Sequence, residues 1–374
     1  MSDIAVKYTG SGSDYSGYGS ANRAFITALY VAGVNVTTEV VPHVTDQTDH
    51  GWQGGLMRSL EGKNIPYKVQ VIHLTPDEYP NHYEKGKYNI GHLFWETDTL
   101  PSEWLKPIND MDEIWASSQP MAELFKKSGV RIPIYHFPQP IDISMADKKV
   151  KKYDIPQKNG YMFYSMFQWI KRKNPEDLIK TFWRTFTNVK DVSLLIKTHR
   201  LNFDESEFDK IKDDIAKWKR QVVARYHPPI FLCKQLLPQE AMYRIHATGD
   251  CYVSANHGEG WDRALHEALL MAKPAISTAR GGIHEHLNDD YYFRVPSKYV
   301  KVEVEDWIPW YKGDMKWANP DLKALSEKMM YAYKNRDLVK AKGIVAKNRV
   351  KDYFSYHRIG KLMLERLNEI YKAL

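Results

Sequence analysis

Strand-length apolar runs alternate with amphipathic helical runs along nearly the whole chain, and one polar, lysine-rich stretch interrupts the alternation. Before the interruption, IAVKYTG (4–10) reads as a strand and GSGSDYSGYGS as a Gly/Ser-rich turn. A helix from about Ala21 to Val31 follows and stops at Gly33. VTTEVVP and YKVQVIHL are further strands, with a helical stretch near GLMRSLEGK between them. NIGHLFWE and DEIWASS add two apolar strands, PMAELFKKSGV is a helix closed by Gly129, and PIYHFPQPID ends the half. Glycine just beyond the last helical residue is a common stop, because it enters the left-handed region without penalty.

The interruption is DKKVKKYDIPQKNG (147–160), whose charge, Pro and Gly mark it as a linker. The theme then repeats. GYMFYSMFQ is a strand, and Asn174-Pro175-Glu176 opens a helix, with Asn expected as N-cap and Pro at the first helical position. VSLLIKT, a charged helix from about Glu205 to Arg225, the strand PIFLCKQLL, the helix QEAMYRIHATG and the strands DCYVSAN and AIST continue the pattern. Such alternation builds a parallel sheet wrapped by helices, here twice. The expected class is α/β: two Rossmann-like, doubly wound domains facing across a cleft, residues 1–146 and 147–355. No strand follows the last amphipathic helix (about 356–374), which is expected to pack back on the first domain. A length of 374 residues agrees with two cores rather than one.

Composition excludes several classes. No apolar run approaches the length of a membrane span. MSDIAVKYTG lacks the basic and apolar regions of a secretory signal. Two cysteines, Cys233 and Cys251, give no disulfide framework, so a reducing cytoplasm is the expected setting. The net charge of +7 suits an anionic membrane surface, a polyanionic acceptor or nucleic acid, and equally an ordinary lysine-rich surface. The load of 24 Tyr, 13 Phe and 11 Trp suits both a core and a cleft that stacks on sugar or base rings.

The most informative local stretch is GEGWDRALHEAL (258–269). A helix starting near Asp262 aims its free amides at whatever lies beside Gly258 and Gly260, a favourable seat for phosphate. Glu259 lies before that helix and Glu267 inside it, so each carboxylate suits a set of hydroxyls on either side of the phosphates. A nucleoside diphosphate sugar has that layout. Two acids alone equally suit a capped, solvated helix. Arg172 and Lys173, after the strand GYMFYSMFQ, offer cations that stabilise charge on a departing diphosphate, or are solvated loop residues. Lys197, ending SLLIKT, is a third cation open to either role.

GEGWDRALHEALLMAKPAIST resembles the E-x7-E signature of retaining GT-B glycosyltransferases, above all family 4. HLFWETDTLPSEW (92–104), FQWIKRKNPEDLI (167–179) and LLPQEAMYRIHATGDCYVSAN are similar to further segments of that family, in the same order. Three positions depart from it: Asp262 where glycine is usual, Ala264 where proline is usual, and Gln168 in place of aspartate. The resemblance implies that Glu259 holds hydroxyls of the transferred sugar and Glu267 the ribose, while Arg172 and Lys173 neutralise the leaving diphosphate. It makes Gly258, Gly260, Trp261, Asp262 and Lys197 donor contacts, and sets base readout by backbone near Lys234 to Leu236. Gly17 and Gly19 become parts of a glycine loop beneath donor and acceptor. His92 falls where the family keeps a histidine near the reacting sugar, although a buried histidine at a strand end is as readily structural.

No cofactor or metal is expected. Asp110-Met-Asp112 has a metal-binding pattern but reads as a turn or cap before a strand, and His284 and His286 lack a matching ligand cluster. The expected activity is retaining, metal-independent transfer from a UDP- or GDP-sugar to a hydroxyl of a glycan or lipid-linked glycan, with peripheral association at anionic membrane. Two alternatives stand beside it: transfer to a modified base in DNA such as a hydroxymethylpyrimidine, and a catalytically silent sugar-nucleotide binder. A nucleotide-sugar epimerase or a phosphorylase ranks last, since the cofactor lysine motif of such phosphorylases is not found.

Overall fold

The computed structural model describes residues 4–41, 50–155, 160–305 and 308–374. The chain divides into two units, Met1–Ser144 with Lys351–Leu374, and Met145–Val350. Pro42, at the end of VTTEVVP, and residues 156–159 of the lysine-rich connector lie outside the described residues.

In unit 1 the elements run β1 (Ala5–Gly10), α1 (Gly17–Val31), β2 (Asn35–Val40), α2 (Gly51–Leu60), β3 (Val69–His73), α3 (Tyr79–His82), β4 (Tyr88–His92), α4 (Leu105–Asn109), β5 (Glu113–Ala116), α5 (Gln119–Ser128) and β6 (Ile134–His136). The six strands form one parallel sheet in the order β2-β1-β3-β4-β5-β6. The strand order reverses between β1 and β3, which is where open α/β sheets leave a crevice beyond the strand C-termini.

Unit 2 contributes β7 (Tyr161–Gln168), α6 (Pro175–Thr185), β8 (Val192–His199), α7 (Glu205–Gln221), β9 (Ile230–Cys233), α8 (Gln239–Thr248), β10 (Cys251–Ser254), α9 (Arg263–Leu270), β11 (Ala275–Thr278) and β12 (Phe293–Val295). The antiparallel pair β13 (Ser297–Lys301) and β14 (Lys316–Pro320), α10 (Leu322–Lys334) and α11 (Arg336–Phe354) follow. Its parallel sheet has the order β12-β11-β10-β7-β8-β9, so here the reversal lies between β7 and β10. Both faces of this sheet are covered, and its strands are accordingly near-continuous apolar runs: Phe163, Leu194, Ile196, Val253 and Ile276 are all buried. α6 presents Leu178, Ile179, Phe182 and Trp183 on one face, the spacing that buries a helical stripe against a sheet.

The last helix, α12 (Tyr356–Ala373), belongs to unit 1. It buries Ile359, Met363, Leu367 and Ile370 and packs along α1. A Cβ on Gly360 would run into the Ala28 carbonyl of α1, so only glycine permits this approach of the two backbones. Tyr371 donates to the Ala5 carbonyl at 2.5 Å, which ties the helix to β1. Arg366 pairs with the fully buried Glu113 of β5 at 2.6 Å. The second oxygen of Glu113 takes the Trp115 indole N–H at 2.7 Å.

Several local expectations change. α1 begins at Gly17, not near Ala21, because the Ser16 side chain accepts from Gly19 N at 2.9 Å and caps the helix four residues earlier. Gly17 and Gly19 therefore sit in a first helical turn rather than in a loop. Asn174 occupies the position before α6 but is left-handed (φ 53°) and caps nothing. Its amide instead donates to the Ala255 carbonyl at 3.1 Å, joining the loops after β7 and β10. β9 ends at Cys233, short of the expected PIFLCKQLL, and α7 ends at Gln221 rather than near Arg225.

Candidate functional site

At the reversal between β7 and β10 the sequence places a basic turn after one strand and an acidic loop after the other. Lys171–Lys173 form a 3-10 turn following β7. The Arg172 carbonyl accepts from His257 N at 2.7 Å, which fixes the turn to the loop after β10. Arg172 donates to the Gly258 carbonyl at 2.6 Å and reaches Glu259 Oε2 at 3.3 Å. Lys173 Nζ lies 2.5 Å from Glu259 Oε1 and 2.6 Å from Oε2. Burial pushes the Glu259 carboxyl up, but the charges of Lys173 and Arg172 outweigh it and hold the group below the usual range. Burial pulls Lys173 below the ordinary lysine range against the attraction of Glu259. The result is a carboxylate kept ionised between two cations, largely shielded from water.

The loop is braced from the next strand connection. Gly281 follows β11 at φ 138°, and a Cβ there would sit 2.9 Å from the Glu259 carbonyl oxygen. Gly282 N and Ile283 N donate to the carbonyls of Gly260 and Trp261 at 3.1 and 3.2 Å. From the other side, His257 stacks on Trp317 of β14 at 4.7 Å, its carbonyl accepts from Ala318 N at 2.8 Å, and its Nδ1 lies 2.7 Å from the Ala318 carbonyl oxygen. Trp261 is buried and donates its indole N–H to His266 Nδ1 at 3.0 Å.

Asp262 precedes α9 in the left-handed region (φ 77°). Its Oδ1 accepts from Leu265 N at 3.3 Å and Oδ2 from the Ser277 hydroxyl at 3.1 Å. His284 Nε2 is 3.7 Å from Oδ2, and the other nitrogen of that ring bonds the Tyr292 hydroxyl. Burial and the nearby Glu259 charge push the Asp262 carboxyl up to about 7.

Glu267 lies one turn further along α9 in a separate polar group. Gln239 donates to its Oε1 at 2.8 Å, His246 Nε2 is 3.3 Å from Oε2, and Arg263 is 3.5 Å from Oε1. Burial opposes ionisation, but Arg263 and His246 bring the Glu267 carboxyl down to about 2. Lys197 lies two residues before the end of β8 with its ammonium 5.0 Å from the Phe203 ring centre, and burial pulls it to about 8. Leu236 is exposed in the loop after β9.

Glu259, Arg172, Lys173, Gly258, Gly260, Trp261 and Asp262 thus come together, with Glu267 and Lys197 on neighbouring elements. His284, Ser277, Gly281, Gln239 and His246 complete these groups, and none was singled out as a site residue from sequence. The glycine pair of ARGGIHEH, coming directly after a strand as the GEG stretch does, was the available signal.

In unit 1, His92 ends β4 and is fully buried. It stacks on His73, the last residue of β3, with ring centres 3.9 Å apart. A Cβ on Gly19 would collide with the Asp14 carboxylate and carbonyl, while Gly17 has open space beside it. Asp110 pairs with Lys106 at 2.6 Å and Asp112 accepts from Asn89 N at 2.7 Å. Among the described residues no group of three or more His, Cys, Asp or Glu side chains is arranged to hold a metal ion. No helix among them is long and apolar enough to cross a membrane.

Two parallel six-stranded sheets with flanking helices and this order of strands define the GT-B fold, an α/β architecture. No family model matches the chain, and no curated protein matches it. Among solved structures, Anabaena HepE in complex with UDP and glucose is similar over 98% of this chain and 100% of its own, at 11% identity and TM-score 0.68. Sucrose-phosphate synthase from Thermosynechococcus elongatus is similar over 99% of this chain and 100% of its own, at 12% identity and TM-score 0.68. A glycosyltransferase from Rickettsia africae covers 100% of both chains at 14% identity and TM-score 0.64.

Proposed function

We propose that this chain is a glycosyltransferase that takes a sugar from a nucleoside diphosphate donor, with retention at the anomeric carbon and without a metal ion. The observation that carries the reading is the pairing of Arg172 and Lys173 with Glu259 at the β7–β10 reversal. Breaking a sugar–phosphate bond builds negative charge on the departing phosphate, and fixed cations in a dry site stabilise that charge most as it develops. Arg172 and Lys173 supply it. Glu259, kept ionised by the same cations, accepts hydrogen bonds from sugar hydroxyls. Glu267, braced by Gln239 and His246, takes the ribose hydroxyls. HepE, of the same fold, binds UDP and UDP-glucose, which supports a nucleotide-sugar donor here. The acceptor is proposed to be a hydroxyl of a glycan or lipid-linked glycan, and the +7 charge favours docking on an anionic surface.

One observation favours a second reading, a silent sugar-nucleotide binder. The Asp262 carboxylate already occupies the Leu265 amide in the first turn of α9, which lessens that turn's attraction for phosphate.

The test incubates the chain with a panel of UDP- and GDP-sugars, follows nucleotide release with and without EDTA, and reads the product anomer by NMR. Release that EDTA leaves unchanged, with the donor's anomeric configuration kept, is the expected result. An inverted anomer refutes retention. Donor-dependent thermal stabilisation with no turnover on any acceptor supports the silent reading.

A further inference from the structure

The unit 1 reversal carries a cluster of different chemistry. The Tyr8 hydroxyl, from β1, lies 2.7 Å from His73 Nδ1 and 3.2 Å from His92 Nδ1. All three side chains are shut off from solvent. Burial holds both imidazoles neutral: it brings His92 to about 3 and His73 well below its ordinary value. A neutral imidazole has one N–H and a phenol one O–H. Two accepting Nδ1 atoms would leave one lone pair facing another. Two donating Nδ1 atoms would strand the buried phenol hydrogen without a partner, which is costly. One ring therefore accepts and the other donates. A contact of 2.7 Å suits an O–H donor, whereas 3.2 Å lies beyond that range and within that of an N–H donor.

We propose that His73 and Tyr8 are positioning residues that lock His92 with its proton on Nδ1, so that His92 Nε2 is a bare lone pair offered to a neutral hydroxyl. His73 then carries its proton on Nε2. Both Nε2 atoms are buried and have no hydrogen-bond partner among the described residues, so the cluster presents one spare acceptor and one spare donor. A hydroxyl matches either, a cation only the first and an anion only the second. The hydroxyl belongs to a sugar or to a trapped water. The sugar case rests on the glycosyltransferase reading; the lock itself does not.

The test uses the full chain labelled with ¹⁵N-histidine and long-range ¹H–¹⁵N correlation at pH 7. His92 is expected to show a protonated Nδ1 and a pyridine-like Nε2, with His73 the reverse. Tyr8→Phe should move His92 toward the Nε2–H form with the circular dichroism unchanged. His73→Gln, which keeps an acceptor for Tyr8, should preserve the His92 tautomer, whereas His73→Leu should not. A His92 proton on Nε2, a charged ring, or a tautomer indifferent to Tyr8→Phe and His73→Leu overturns the lock. Glucose added with UDP shifts the His92 Nε2 signal if the hydroxyl is a sugar's. A water cross-peak with no glucose effect assigns it to water, and a signal with neither refutes the seat. In turnover, Tyr8→Phe should lower kcat about tenfold or more with KM for the donor unchanged. Should no sugar be transferred under any condition, the proposed function fails while the tautomer result still stands.

Discussion

The two sheets reverse strand order once each, and the residues at the two reversals could hardly be less alike. Beyond β7 and β10 stand Arg172, Lys173 and Glu259, two cations set against one carboxylate over 2.5–3.3 Å. Within β1 and at the ends of β3 and β4 stand Tyr8, His73 and His92, all neutral and all buried. The backbone topology creates a place for a ligand in both, and the side chains decide its character. One set suits a polyanion whose charge grows during reaction. The other suits an uncharged polyol. A transferase that joins a diphosphate donor to a hydroxyl needs both kinds of surface.

The sharpest way to break this contrast is to remove the charge at the unit 2 reversal. Lys173→Ala should cut transfer about 10²–10³-fold in kcat. Glu259→Gln in the same background should recover part of the lost thermal stability without restoring turnover, because the buried carboxylate left with Arg172 alone is then gone. Equal activity of Lys173→Ala and the unaltered chain would remove the catalytic case for that cluster.

A second change tests whether unit 1 also depends on charge, only elsewhere. Arg366→Met strands the buried Glu113 and should cost about 3–5 kcal/mol, read as a lower urea midpoint. Transfer kinetics of the molecules that remain folded should be normal. A smaller effect is expected of Gly281→Ala, which forces a side chain into positive φ against the Glu259 carbonyl. A loss of about 1–3 kcal/mol with a raised donor KM is the expected outcome, against an unchanged melting temperature if the loop is free to shift.

Per pH unit the effect of acid is the smallest, and the two reversals should respond with opposite sign. Asp262 has its pKa raised from 3.8 to about 7, so between those values the folded chain holds a proton that the unfolded chain has lost. Its contribution therefore falls as pH rises through that window. His92 has its pKa lowered from 6.5 to about 3, so the unfolded chain binds the extra proton and the His92 contribution rises with pH. Each slope is at most about 1.4 kcal/mol per pH unit. Urea titrations from pH 4 to 7 should show a steeper acid-side loss in Asp262→Asn and a shallower one in His92→Gln. Parallel curves for all three proteins would show that neither group titrates as its surroundings imply.

How much of this was readable beforehand follows from the range of the forces involved. Strand and helix alternation is a local pattern, and Gly129 stops α5 in the left-handed region as a glycine in that place should. The acidic loop and the basic turn were visible because charged residues at strand ends are conspicuous. His73 was passed over although it ends VQVIH much as His92 ends its own strand, because register between β3 and β4 is set by the sheet and not by either segment. Asn174 looked like a cap, but the Ala255 carbonyl 81 residues away offered its amide a better use. Ser16 capping α1 was masked by the surrounding glycines, which favour a turn until a side-chain acceptor recruits Gly19 N. The pair β13–β14 carries Lys298, Lys301 and Lys316 and little apolar pattern, yet it seats the ring of His257.

The return of α12 to unit 1 has a consequence for synthesis. Residues 145–350 are complete while the helix that fills the groove beside Ala28 is still unmade. On a ribosome, unit 2 therefore has every residue of its own before the first sheet receives its last layer. Until α12 docks, α1 leaves part of its apolar surface for chaperones to find.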